Sequence, residues 1–148
     1  MDVALYISYH EIRVRAYIPN LRIFSSKTLQ NKKEKFVDIN YDKEKDELLI
    51  NGSSYQGVAP KDYIVGTWWN HEIINANAQI SAISGRIIKQ KVTFLGKEKV
   101  KLNGKTYDSL HFNFSSSDES LPEKKKLNTD IWYDEKTLMW IKASFDKT

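Results

Sequence analysis

His71-Glu72-Ile73-Ile74-Asn75 is the stretch of this chain closest to a chemical motif. It begins like a helical zinc-protease signature, which needs a second histidine one turn later so that both imidazoles reach one metal. Asn75 stands at that place, so the stretch reads as polar residues at a helix start beside Trp68-Trp69. The other histidines, His10 and His111, follow no ligand spacing. With no cysteine in the chain, a thiolate metal site, a disulfide and a thiol nucleophile are all excluded. His10-Glu11 could act as a general acid–base pair if a strand irregularity aimed both into a cleft; a surface pair at such an irregularity is the plainer reading. Asp118, Glu119, Asp130 and Asp134 fall in expected turns, where carboxylates are ordinarily solvated. No G-x-S-x-G elbow, phosphate-cradling glycine loop or dinucleotide fingerprint occurs. The sequence therefore gives no reason to expect a catalytic set, a metal site or a cofactor.

Residue types suited to binding are better represented. Trp68, Trp69, Trp132, Tyr133, Trp140 and Phe112 could line a concave pocket for an apolar small molecule or lipid, with Tyr63, Phe114 and Phe145 in support. The same residue types fill β cores. Lys89 and Lys91 share one face of an expected strand, and Lys97, Lys99 and Lys101 share a face of the next. On an antiparallel pair these would form one basic surface able to meet lipid headgroups and so a membrane surface. A solvated face that discourages edge pairing is the plainer account of them. The net charge is +4 and 19 of the 23 basic residues are lysine. Nucleic-acid readers rely on the bidentate contacts of arginine, so no nucleic-acid partner is expected.

These side chains must be positioned by strands. At 148 residues, 41% hydrophobic and 28% charged, the chain reads as one folded β domain, 1–148. Val3, Leu5, Ile7 and Tyr9 alternate, then Ile12, Val14, Ala16 and Ile18 alternate in the opposite phase, which predicts one long strand with a β-bulge at His10-Glu11. Pro19-Asn20 turns the chain into a strand from Leu21 to Lys27. Strands are predicted over Phe36–Tyr41 and Glu47–Ile50, with a tight turn at Asn51-Gly52. Thr67–Ala76 predicts one short helix capped by Thr67 or Asn70. Strands follow over Arg86–Leu95, Lys97–Leu102 and Lys105–Phe114, with Asn103-Gly104 as the clearest hairpin turn. Ser115–Leu127 is a polar loop. Thr129–Asp134 and Leu138–Phe145 form a last, aromatic-rich hairpin around Asp134-Glu135-Lys136-Thr137.

The expected fold is mainly β: an antiparallel meander forming a strongly curved sheet or open barrel with one short helix. No apolar run approaches the roughly 20 residues of a membrane span. The opening Met1-Asp2-Val3-Ala4-Leu5 has no basic residue ahead of its apolar ones and reads as strand, not as an export signal. Both ends read as incomplete, which would leave sheet edges open for another chain or for a homodimer.

Trp69-Asn70 before a short helix, Gly85-Arg86, Leu95-Gly96, and Trp132-Tyr133-Asp134 with Trp140 beyond the turn resemble the pattern of an uncharacterised, mainly proteobacterial family of all-β proteins. The resemblance covers most of the chain. It implies further strands at both ends, often an export signal, and hence a periplasmic or envelope-associated location. It assigns no activity. Its general architecture is similar to half-barrels that carry lipids or lipoproteins, which implies an apolar ligand on the concave face, without catalysis. The competing expectations are an interaction module built on open sheet edges and an enzyme using His10-Glu11 or His71.

Overall fold

Val37-Asp38-Ile39-Asn40 alternates in polarity and Leu48-Leu49-Ile50-Asn51 alternates in burial, because successive side chains leave a strand on opposite faces. One side of each strand is thereby committed to a core. In the computed structural model, which describes residues 2–7, 10–15, 24–30 and 32–145, the chain forms two compact units. The first comprises Met1–Thr67 and Ala78–Ile88, the second Trp68–Asn77 and Lys89–Thr148.

In the first unit, β1 (Asp2–Ile7), β2 (His10–Arg15), β3 (Phe24–Gln30), β4 (Lys33–Asp42), β5 (Glu47–Gly52) and β6 (Gln56–Pro60) make an antiparallel meander, each pairing with the next. β7 (Ile64–Val65) and β8 (Ala78–Ile80) add a short parallel pair. The single bulged strand expected at the start is instead a hairpin, with Ile7 opposite His10, Leu5 opposite Ile12 and Val3 opposite Val14. Arms joined through residues 8 and 9 set odd-numbered positions against even-numbered ones. That inverts the apolar phase just as a bulge would. The expected turn at Pro19-Asn20 lies outside the described residues, and the strand expected after it is seen as β3.

Phe24, Val37, Ile39, Leu48, Ile50, Ala59, Val65 and Ile80 form the buried core of this unit. Register builds it directly: Phe24 lies across from Ile39, and Ile39 across from Ile50. Each of the Val, Leu, Ile and Phe side chains contributes roughly 1.5–3 kcal/mol on burial. Asn51-Gly52 is not the turn its composition suggests; β5 runs through Gly52, and the bend falls at Ser53-Ser54. Glycine is needed here because the Ser84 carbonyl occupies the place a Cβ would take, and Gly85, at φ +78°, completes the close approach.

The second unit is built on β9 (Ile87–Leu102, its first two residues belonging to the first unit), β10 (Lys105–Ser116), β11 (Asn128–Asp134) and β12 (Trp140–Phe145). All pair antiparallel in that order. The two strands expected on either side of Leu95-Gly96 are one. Gly96 pairs with His111 and Phe94 with Phe112, leaving Leu95 as the extra residue of a bulge. Gly96, at φ +123°, supplies the backbone conformation that lets the strand continue instead of ending. Asn103 and Gly104, at φ +49° and +78°, form the expected tight turn, of type I′, between Leu102 and Lys105. The expected short helix is a single 3₁₀ turn, His71–Asn75, and of its two candidate caps Asn70 serves: its Oδ1 accepts the Glu72 N–H at 3.2 Å. The fold is mainly β, and strand pairing closes no barrel among the described residues.

Candidate functional site

Strand alternation sorts the second unit's sheet into two unlike faces. One carries an aromatic residue from every strand: Phe94 on β9, Phe112 on β10, Tyr133 on β11 and Trp140 on β12. Phe94 and Phe112 lie 5.2 Å apart between ring centroids, and Phe112 meets Tyr133 edge-on at 6.2 Å. Tyr133 is the register partner of Trp140, across a bulge between Trp132 and Tyr133. Tyr133 is fully buried, whereas Phe94 and Trp140 at the two ends are 54% and 45% exposed.

The segment Trp68–Asn77 is fastened to this same face. Trp68 packs edge-on against Phe114 at 5.1 Å, and the Tyr133 hydroxyl donates to the Trp68 carbonyl at 2.7 Å. Gln90 Nε2 donates to the carbonyls of Ile73 (2.8 Å) and Ala76 (3.0 Å). Burial pushes the Tyr133 phenol above its ordinary pKa, because the ionised form would lose its hydration. The segment is thus a strap, held at its first residue and along its 3₁₀ turn through backbone carbonyls.

The opposite face carries a polar stack in register across four strands: Gly96, His111, Trp132 and Lys142. His111 stacks on Trp132 with 4.1 Å between centroids and 17° between planes, and the Lys142 ammonium sits 4.5 Å over the indole. Glu98 Oε2 lies 3.2 Å from His111 Nδ1, while Asp130 Oδ1 lies 3.4 Å from Nε2 but out of line for a hydrogen bond. Asp130 also accepts from Asn113 Nδ2 at 3.1 Å. The Trp132 indole N–H is buried without a hydrogen-bond partner among the described residues. Because the two carboxylates flank opposite ring nitrogens, they cannot join the imidazole around one metal ion, and among the described residues no group of three acidic or histidine side chains could hold one. His111 is within reach of a carboxylate, as an enzyme reading requires, but that reading also needs the pair to lie in a cleft, and one face of the ring is covered by Trp132.

The six aromatic residues singled out from sequence do not assemble into one surface. Phe112, Tyr133 and Trp140 share the aromatic row, and Trp68 lies against it through Phe114. Trp69, within the strap, is 39% exposed. Trp132 is on the other face, since neighbours along a strand point opposite ways. The five lysines separate for a related reason. Before the bulge, Lys89 and Lys91 lie on the face of His111; after it, Lys97, Lys99 and Lys101 lie on the face of Phe112, opposite Leu110, Asp108 and Thr106. One continuous basic surface is therefore not formed. Lys97 is paired with Glu135 at 2.5 Å, and the Glu135 carboxylate holds its pKa up.

His71 lies 3.5 Å from the carboxylate of its neighbour Glu72, both half-exposed, and the side chains of His10 and Glu11 lie outside the described residues. Sequence reasoning missed Phe94 and the His111–Trp132–Lys142 stack. The signal for both was Leu95-Gly96: read as a bulge, it puts Phe94 beside Phe112 and Gly96 beside His111. A separate polar groove of about 350 Å³ is lined by Ser115, Ser116, Leu127, Asn128 and the Glu123–Lys126 ion pair, away from the aromatic row.

A family model described as a domain of unknown function (DUF6134) matches residues 19–148, and the chain belongs to that family. No curated protein and no solved structure matches it.

Proposed function

We propose that this protein binds an apolar, lipid-like molecule across the aromatic row of its second unit, without transforming it. The row itself carries the reading: four aromatic rings, one per strand, run from half-exposed Phe94 through Phe112 and buried Tyr133 to half-exposed Trp140. Large apolar groups left open at both ends of an aromatic row offer contact area without the cost of opening the core. The strap from Trp68 closes one part of this face and leaves the two ends as the ligand's contact points. A location at the cell envelope fits this reading, because lipid-like molecules there must cross water between membranes.

Native mass spectrometry of gently purified protein, followed by solvent extraction, tests for a bound apolar mass. A fluorescent fatty-acid analogue then reads affinity directly. Phe94→Ala with Trp140→Ala should weaken binding of that analogue at least tenfold while leaving the folded state intact, since both side chains are half exposed. Unchanged affinity in a folded double variant overturns the proposal.

A second reading is favoured by β12. It pairs with β11 alone among the described residues, and its Trp140 and Phe145 are exposed. Such an edge suits strand addition by another chain or a second copy. It predicts a dimer whose fraction rises with concentration in light scattering; a monomer at every concentration removes it.

A further inference from the structure

We propose that the tip of the β9–β10 hairpin, Lys101-Leu102-Asn103-Gly104-Lys105, docks on an anionic lipid bilayer. β10 pairs with β11 only over Ser109–Ser115, whereas its pairing with β9 runs on to Lys105 opposite Leu102. The end of the hairpin therefore leaves the sheet as a two-stranded ribbon. A ribbon of this kind has little stability of its own, so the residues at its tip are under light structural constraint.

The ribbon has two unlike sides, set by the bulge at Leu95. Lys97, Lys99 and Lys101 occupy one side, and on the other Val100 is buried opposite Tyr107. The lysines are not equivalent. Lys97 is committed to Glu135, whereas Lys99, Lys101 and Lys105 form no ion pair among the described residues, and of these Lys101 and Lys105 flank the turn. Between them Leu102 is 42% exposed, held out at the end by the Asn103-Gly104 turn. An apolar side chain between two uncommitted ammonium groups matches the boundary of a bilayer. Leucine can enter the acyl region while the lysine stems lie along it and their heads stay at phosphate level. The charge of the tip selects anionic over neutral headgroups. Docking deepens the ligand reading and rests on it for its purpose, since a protein that carries a lipid-like molecule has to meet the surface that supplies it.

The test is co-sedimentation of the full chain with vesicles of phosphatidylcholine alone and of phosphatidylcholine mixed with phosphatidylglycerol. The native chain should sediment with the mixed vesicles, much less with neutral ones, and less as salt rises. Replacing both Lys101→Gln and Lys105→Gln should lower partitioning about thirtyfold, roughly fivefold for each lysine near the surface. Leu102→Ser should lower it further at fixed charge. All three positions are exposed, so unchanged thermal unfolding will show that the variants are folded. Failure of the native chain to bind mixed vesicles, or variants that bind as the native chain does, overturns the proposal. Titration with the fatty-acid analogue in solution separates the two claims. Probe binding without vesicle binding removes the docking tip and keeps the ligand site; vesicle binding without probe binding keeps the tip and removes the ligand site.

Discussion

The two units solve the same problem, covering a sheet face, with different materials. In the first, Phe24 of β3 meets the aliphatic residues of β4 and β5 in direct register, and Val37, Ile39 and Leu48 are sealed from water. In the second, aromatic rings take that place, two bulges shift the registers, and the line of rings ends in half-exposed Phe94 and Trp140. An aliphatic core packed in register has nothing to offer a ligand. An aromatic row interrupted by bulges leaves apolar surface that folding alone does not use, and the candidate site is there for that reason.

The largest effect should come from the first unit. Ile39→Ala removes a fully buried side chain and should lower stability by about 2–5 kcal/mol in urea unfolding, through lost transfer energy and the cavity left behind. An effect near zero would break the comparison. Next is the strap. Tyr133→Phe deletes the hydroxyl bonded to the Trp68 carbonyl and should cost about 1 kcal/mol at neutral pH.

That cost should depend on pH in a defined direction. The folded-state pKa of Tyr133 is raised above the ordinary 10.0, so its contribution is complete below pH 10. It falls as pH rises from there towards the folded value, because the unfolded phenol ionises first. The stability gap between native chain and Tyr133→Phe should therefore shrink above pH 10; a gap that widened would contradict a buried, neutral phenol.

On the polar face, Lys142→Gln removes the cation over Trp132 and should cost about 0.5–1 kcal/mol, with a shift in indole fluorescence. The smallest effect on stability should be Phe94→Ala, within about 0.5 kcal/mol, since the ring is more than half exposed. Its expected loss of ligand affinity, set against that small cost, is the sharpest separation of the two units.

Much of the local structure could be read from residue types. Asn103-Gly104 announced its turn because few residues besides Asn and Gly tolerate two successive positive φ angles. The strands β4 and β5 were anticipated from residue types, and Asn70 was one of two candidate caps, with Thr67. Leu95-Gly96 misled, since a glycine between strands suggests a break, and only the partner strand shows that β9 continues through it. β6, β7 and β8 left little trace: the last two are short, and their hydrogen bonds are made with distant parts of the chain.

Composition, alternation and turn types are local properties, and they were enough to establish a mainly β chain without cysteine chemistry, the Asn103-Gly104 hairpin and a surplus of aromatic residues. Which aromatics share a face, which lysines remain uncommitted, and that His111 lies between Glu98 and Asp130 were decided only by tertiary structure. The physical reason is the two-residue period of a strand. One inserted residue at Leu95 carries everything beyond it to the other side of the sheet, and nothing local in the sequence records which side that is.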